Sequence, residues 1–258
     1  MVVAMACTEN WYHYLAVDIY SLLKTTPAVK KIYLLLETDN INDIPELKKV
    51  IEKYPVEIKL INFNNMIDDL IEKDNVNRDT EFTNFCFARL ALPSIVEEEK
   101  VLYLDTDAIV LKDISELWNI NIDNYYLAGC KDLGAFERDN ISSRLGITGK
   151  YINSGVLLMN LKKIREDNIY KKWFETINKR QLIFPDQDAI NLVCQKGIIY
   201  IPAENNFALG VTSKFIEKKY IKIIHYVNLK IDWVRGKPYS ELWYNVEENF
   251  YKELDIRR

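Results

Sequence analysis

The stretch Lys100-Val101-Leu102-Tyr103-Leu104-Asp105-Thr106-Asp107-Ala108-Ile109-Val110-Leu111 decides the fold. Two short apolar runs flank an Asp-Thr-Asp triplet. β-Branched and large aliphatic residues in such runs fill a strand that is covered on both faces. On an extended chain, side chains at i and i+2 point to one side, so Asp105 and Asp107 send two carboxylates into one small volume at the end of a buried strand. Two such charges in a partly desolvated site repel unless one takes a proton or a cation sits between them. Paired oxygens suit hard divalent ions, Mg²⁺ or Mn²⁺. A surface turn with two solvated aspartates is the plainer alternative, and the apolar runs on both sides argue against it.

Outward from that strand, the chain alternates strand and helix. Upstream, Val2 to Cys7 is apolar and stops at the polar Thr8-Glu9-Asn10. Leu15, Ile19, Leu22 and Leu23 then recur at helical spacing, closed by Thr26-Pro27. Lys31 to Leu36 reads as a second strand, Pro45 to Ile51 as a helix opened by a proline, and Val56 to Phe63 as a third strand. A polar connection with a helical turn at Met66 to Ile71 leads to a helix over Thr83 to Leu92. Downstream come a helical turn at Ile114 to Leu117 and a strand at Tyr125 to Cys130. A charged, Gly-containing loop, Asp132 to Lys150, precedes a long apolar strand, Tyr151 to Asn160. Helices at Tyr170 to Asn178 and Gln187 to Gln195, strands at Ile198 to Ile201 and Ile221 to Tyr226, and an amphipathic helix at Glu241 to Leu254 complete the chain. This order predicts one α/β domain over residues 1–258, with a mostly parallel sheet flanked by helices.

Bulk composition narrows the function. The chain has 258 residues, 48% hydrophobic and 28% charged, with a net charge of −4. That is enough to bury a full core and gives no basic excess for a nucleic-acid partner. Lysine pairs such as Lys30-Lys31 and Lys218-Lys219 are short and interleaved with acids, as on solvated faces. Cys7, Cys86, Cys130 and Cys194 form no Cys-x-x-Cys pair, which disfavours both zinc and a disulfide framework and suits a cytoplasmic protein. No secretory leader is expected at the start, and no apolar run approaches the roughly 20 residues that span a bilayer.

Four polar insertions sit at strand ends or helix starts: Thr8-Glu9-Asn10, Asp105-Thr106-Asp107, Asn153-Ser154-Gly155 and Pro185-Asp186-Gln187-Asp188. In open α/β sheets the ligand crevice lies at the carboxyl ends of the strands, where such groups collect. His225 follows the apolar Ile221 to Ile224, and its imidazole could complete the Asp105/Asp107 site; a nitrogen donor tilts the metal from Mg²⁺ toward Mn²⁺. A satisfied structural histidine is the competing account of His225, and the one adopted for His13. Likewise Asp186 could simply cap a helix, Arg89 pair with a surface acid, and Asn153 to Gly155 form a bulge.

Four pieces in this order carry a resemblance: Phe87-Ala88-Arg89, Val101 to Asp107, Tyr151-Ile152-Asn153-Ser154-Gly155 through Leu161, and Asp186-Gln187-Asp188-Ala189-Ile190-Asn191. Together they resemble the retaining glycosyltransferases of family 8, the group of glycogenin and the bacterial lipopolysaccharide galactosyl- and glucosyltransferases. The resemblance runs nearly the whole length and implies a GT-A fold, a single nucleotide-binding α/β domain with a mixed sheet. It implies transfer of glucose or galactose from UDP-glucose or UDP-galactose to a glycan or glycoconjugate acceptor. Asp105, Asp107 and His225 would bind Mn²⁺, with Mg²⁺ as the alternative, and the ion would hold the donor's diphosphate. Ala6, Thr8 and Asn10 fall where the family holds uracil and ribose, and Thr106 and Ser154 join the donor contacts. Arg89, Asp132, Asn153, Asp186 and Gln187 fall where it positions the sugar, and Asp188 where a nucleophile or electrostatic stabiliser is placed.

The family's His-x-x-Gly-x-x-Lys-Pro-Trp is altered here to His225-Tyr226-Val227-Asn228-Leu229-Lys230-Ile231-Asp232-Trp233. Asn228 stands at the glycine position and Lys230 comes one residue early, so the phosphate contact falls to Lys230 or to Lys237. Two other functions fit part of the pattern. Leu104 to Val110 also matches the strand-end motif of haloacid-dehalogenase phosphatases, with Asp105 as nucleophile and Asp107 as acid/base, and the altered Lys230 region fits a UDP-sugar binder without turnover. Acceptor contacts are expected in Asp132 to Lys150 and after Trp233. Relatives with a basic, aromatic C-terminal tail dock peripherally at the inner face of the membrane; Asp255-Ile256-Arg257-Arg258 offers little of either character.

Overall fold

Nine strands are present in the computed structural model, which describes residues 1–78, 83–137, 140–227 and 236–257. They are β1 (Val2–Ala6), β2 (Lys31–Leu36), β3 (Glu57–Asn62), β4 (Lys100–Leu104), β5 (Ala108–Val110), β6 (Leu127–Lys131), β7 (Ile152–Asn160), β8 (Ile198–Ile201) and β9 (Ile223–His225). Seven form one sheet in the order β3-β2-β1-β4-β7-β6-β8, and β5 pairs with β9 in a second, two-stranded sheet. β7 runs antiparallel to both its neighbours, while the other pairs of the large sheet are parallel. This is the mostly parallel mixed sheet expected from the alternation of strands and helices.

The strands are apolar on both faces because helices cover both. Along β1, Val3 and Met5 join one core cluster and Ala4 joins the other; along β4, Leu102 and Leu104 divide from Val101 and Tyr103 in the same way. Period-two alternation with no polar side marks a sheet buried on both faces. Helices Tyr12–Thr25 and Ser240–Glu253 pack on the first face, and Ala88–Ile95, Ile169–Lys179 and Pro185–Cys194 on the second.

This topology brings the polar insertions to one edge. Because β7 is antiparallel to β4, its beginning lies beside the end of β4: Val156 pairs with Leu104, and the Asp105 N–H donates to the Gly155 carbonyl at 2.8 Å. β6 ends at the same edge, where the Asp132 N–H donates to the Tyr151 carbonyl. β9 pairs with β5 so that His225 sits opposite Ala108, next to Asp107.

Two expectations change. Asp105 to Asp107 is not extended: a turn separates β4 from β5, closed by the Ala108 N–H on the Asp105 carbonyl at 3.2 Å. The carboxylates converge because the chain folds between two sheets, not because they alternate along one strand. The segment Asp132 to Lys150 is no plain loop either; it carries helices Gly134–Glu137 and Ile141–Leu145 around Ala135, Ile141, Ile147 and Tyr151. That cluster is too small and too scattered in sequence to show as a period.

Candidate active site

A cavity of about 610 Å³ opens at the strand ends, well within the range of small-ligand sites. Its walls include Ala6, Thr8, Arg89, Asp105, Thr106, Asp107, Asp132, Asn153, Ser154, Asp186, Gln187 and His225, so twelve candidates from separate segments share one space. Asn10 is exposed in the turn Glu9–Trp11 and does not line it, whereas its neighbour Trp11 does. Asp188 does not line it. Lys230, with Asn228 and Trp233, lies outside the described residues; Lys237 lines a smaller adjoining pocket with Tyr239 and Val227.

Asp105, Asp107 and His225 offer ligand atoms that all lie within 4.8 Å of one another. His225 Nε2 is 3.0 Å from Asp107 Oδ1 and 3.8 Å from Asp105 Oδ2. Neighbouring ligands of an octahedral ion with bonds of about 2.1 Å stand about 3.0 Å apart, so small closing movements would complete the set around a divalent cation. Gly155 is what allows the approach: a Cβ there would lie 2.0 Å from His225 Cε1 and 2.8 Å from Asp105 Oδ2. One nitrogen and two carboxylates, with room kept by a glycine, fit Mn²⁺ or Mg²⁺. Burial opposes a charge on His225, but Asp107, which also hydrogen-bonds it, and Asp105 outweigh that and raise its pKa.

Arg89 is buried and ties this cluster to the helix start behind it. Its Nη2 donates to Asp105 Oδ1 at 2.7 Å, its Nη1 to the Ser154 carbonyl at 2.6 Å, and its Nε lies 3.1 Å from Asp186 Oδ2. The guanidinium stands over the Tyr103 ring at 4.5 Å, and the Tyr103 hydroxyl donates to Asp105 Oδ1 at 2.8 Å. Burial pushes the Asp186 carboxyl above its ordinary range; Arg89 opposes this and Asp105 adds to it. Arg89 is therefore an interior counter-ion, not a partner of a surface acid.

Pro185 opens helix Pro185–Cys194, and residues of its first turn face the cavity. Gln187 is held at both ends of its carboxamide. Its Oε1 accepts from the Ser154 N–H at 2.9 Å and from Asn153 Nδ2 at 3.3 Å, and its Nε2 donates to Asp132 Oδ2 at 3.0 Å. Asp188 turns the other way and is fully buried. It accepts from Arg144 Nη1 at 2.7 Å, the Tyr151 hydroxyl at 2.6 Å, and the N–H groups of Ile183 and Phe184 at 3.1 and 3.2 Å. The carboxylate ties the two residues ahead of the helix to its first turn and neutralises Arg144. Placed thus, the Asp188 carboxylate is engaged away from the cavity wall.

Sequence reading missed Asn206, which is fully buried and bonds both His225 Nδ1 at 2.9 Å and Asn153 Oδ1 at 2.8 Å. It also missed Asp18. Among the described residues neither carboxylate oxygen of Asp18 has a hydrogen-bond partner, and burial, reinforced by Asp107 and Asp105, raises its pKa well above normal. A carboxyl in the apolar helix Tyr12–Thr25 was the available signal.

A helix-covered mixed sheet with this strand-edge cavity is the GT-A glycosyltransferase fold. The chain superposes on the galactosyltransferase LgtC, solved in complex with donor and acceptor sugar analogues, at a TM-score of 0.75 and 20% identity, covering 98% of this chain and 100% of that one. The chain belongs to glycosyl transferase family 8, whose model matches residues 2–237. A Haemophilus influenzae protein carrying a provisional glycosyltransferase name is 30% identical over 265 aligned positions, 96% of this chain and 77% of that protein. The lipopolysaccharide 1,2-glucosyltransferase of Escherichia coli K12 is 24% identical, over 94% of this chain and 75% of its own length. Family membership sets the phosphatase reading aside, and Asp105, engaged by Arg89 and Tyr103, is a poor free nucleophile. Among the described residues no helix is long and apolar enough to cross a membrane.

Proposed function

We propose that this chain is a single-domain, metal-dependent, retaining glycosyltransferase that moves glucose or galactose from a UDP-sugar to a glycan or glycoconjugate acceptor. One observation carries the reading: the Asp105, Asp107 and His225 cluster opens into the same cavity as Asp186 and Gln187. The sugar choice follows the names of the relatives, a glucosyltransferase and a galactosyltransferase.

Asp105, Asp107 and His225 would hold Mn²⁺ against the donor's diphosphate, where it supplies Lewis-acid stabilisation of the leaving group. Ala6 and Thr8 at the end of β1 would receive the nucleoside, with Trp11 beside them in place of Asn10. Arg89, fixed by Asp105 and the Ser154 carbonyl, holds Asp186 in place to receive sugar hydroxyls. Gln187, immobilised by Ser154 and Asp132, presents a preorganised dipole to the anomeric carbon. Its Oε1 is neutral and already accepts from Ser154 and Asn153, which favours acceptor attack on the face the diphosphate vacates over a covalent adduct at that atom.

The test is incubation with UDP-glucose and UDP-galactose in turn, with Mn²⁺ or Mg²⁺, reading UDP release and thermal protection. Metal-dependent release with one of the two donors is expected. Absence of both release and protection with either donor overturns the proposal.

A further inference from the structure

The orientations of the buried amides can be worked out from the backbone. The Gly155 N–H can only donate, and it meets Asn153 at 3.1 Å, so the Asn153 atom there is Oδ1. That same oxygen lies 2.8 Å from Asn206, which must present its NH₂ group. The Asn206 carbonyl then faces His225 Nδ1 at 2.9 Å. An amide oxygen accepts only, so Nδ1 carries a proton, and Nε2, which faces Asp107 and Asp105, is left as the nitrogen that can give up its proton and offer a lone pair to a cation. In the other direction, the Ser154 N–H fixes Gln187 Oε1, which also accepts from Asn153 Nδ2. Two backbone N–H groups of β7 thereby set the sense of the whole relay.

Asn206 is well placed to hold such a setting. It is fully buried, and its main-chain carbonyl accepts from the Thr212 hydroxyl, which fixes the backbone from which the amide projects. The next residue is stitched to β9 from both sides: the Phe207 N–H donates to the Ile223 carbonyl at 2.9 Å, and the His225 N–H to the Phe207 carbonyl at 2.9 Å. The amide and the imidazole therefore belong to one rigid patch.

We propose that Asn206 is a positioning residue with two separable duties: its carbonyl fixes the metal-facing tautomer of His225, and its NH₂ group holds Asn153 against Gln187. Outer partners of this kind set ring orientation and ligand basicity, and losing one typically costs ~10–100-fold in metal affinity. The inference rests on the proposed role of His225 and Asn153 but is tested apart from it.

The first test is the imidazole nitrogen NMR spectrum of the metal-free wild type, titrated to alkaline pH until the ring is neutral. With two histidines in the chain, assignment needs one substitution, His13→Gln. The expected state of His225 is Nδ1-protonated; an Nε2-protonated ring overturns the inference whatever the enzyme's activity. The second test compares Asn206→Asp with Asn206→Leu for Mn²⁺ affinity by calorimetry and for kcat. The Asp variant keeps the acceptor for Nδ1 and loses the donor to Asn153, so its Mn²⁺ Kd stays within about threefold while kcat falls ~30–100-fold through misplacement of Gln187. The Leu variant loses both, and its Kd also rises ~10–100-fold. Equal Mn²⁺ affinity in Leu variant and wild type overturns the tautomer duty, and wild-type kcat in the Asp variant overturns the second. A wild type that neither binds Mn²⁺ nor turns over donor sinks the proposed function, whereas the spectrum still decides how Asn206 sets the ring.

Discussion

The chain has two histidines, and each meets two carboxylates, yet they do opposite things. His13 receives its acids on opposite nitrogens: Glu46 on Nδ1 at 2.7 Å and Glu247 on Nε2 at 3.2 Å. His225 has Asp107 and Asp105 both at Nε2, with Nδ1 taken by Asn206. Divided acids make a clamp, here joining helices Tyr12–Thr25, Pro45–Lys53 and Ser240–Glu253. Converging acids make a ligand set, because the lone pairs of three groups then point into one volume. Burial sharpens the contrast: the His13 side chain is 30% exposed and that of His225 3%. Residue type and acid count are equal, so direction decides.

The largest expected difference is catalytic. His225→Ala removes one of the three proposed ligands, and kcat/KM should fall ~10³-fold or more, since Lewis-acid stabilisation is worth several kcal/mol. The Mn²⁺-dependent rise in Tm should vanish with it, while His13→Ala stays within about twofold in the same assay. Equal losses in the two variants would break the comparison.

Direction also separates Asp186 from Asp188. Successive helical residues are turned by about 100°, so two positions apart they point about 200° away from each other. Asp188→Ala takes the Asp188 carboxylate from the partly buried Arg144 and removes the acceptor of the Ile183 and Phe184 N–H groups, a loss of about 3 kcal/mol. Calorimetry should show a fall in Tm of ~6–12 °C. A fall of less than ~2 °C would show that Asp188 is not the structural anchor described.

Asp18 probes the ground beneath the His225 site. Its folded pKa is raised by burial and by Asp107 and Asp105. The unfolded carboxyl loses its proton near pH ~3.9, so this group's contribution to stability declines as pH climbs above that value. Asp18→Asn needs no proton, and it should raise Tm by ~4–8 °C at pH 7.5, with the gain shrinking toward pH 4. A gain that is equal at both pH values would mean that packing, and not the proton, sets the difference.

Much of this was legible beforehand, for a physical reason. β2 matches its expected bounds to the residue, because a strand buried on both faces is written as an unbroken apolar run; β8 matches as well, although at the sheet edge its Tyr200 is exposed. The convergence of Asp105, Asp107 and His225 could also be expected, since each sits at the end of such a run. What the sequence hides is direction and distance. Asn205-Asn206 after Pro202 looks like an ordinary polar turn, and nothing local says that the second amide reaches His225. Asn10 and Trp11 are adjacent, and only the turn Glu9–Trp11 puts the tryptophan on the cavity wall and leaves the asparagine in solvent. Arg144 lies within the stretch read as a charged loop, and only the small cluster around Ile141 and Tyr151 brings it to Asp188.

The smallest effect belongs to His13. Burial opposes its charge, but hydrogen bonds to Glu247 and Glu46 prevail and raise its pKa from 6.5 to about 9. A raised pKa stabilises the fold in full below the unfolded value, and the contribution is lost as pH rises through about 9. Because the ring is 30% exposed, solvent screening trims the gain to about 1–2 kcal/mol. His13→Gln should therefore lower Tm by ~2–5 °C at pH 6, and the gap should close between pH 7 and 10 and narrow in high salt. The His13 ring also stacks on Tyr251, with centroids 5.8 Å apart and planes 17° from parallel. If the gap persists unchanged at pH 10, stacking holds the C-terminal helix and the charge does not, and the two histidines differ in more than the direction of their acids.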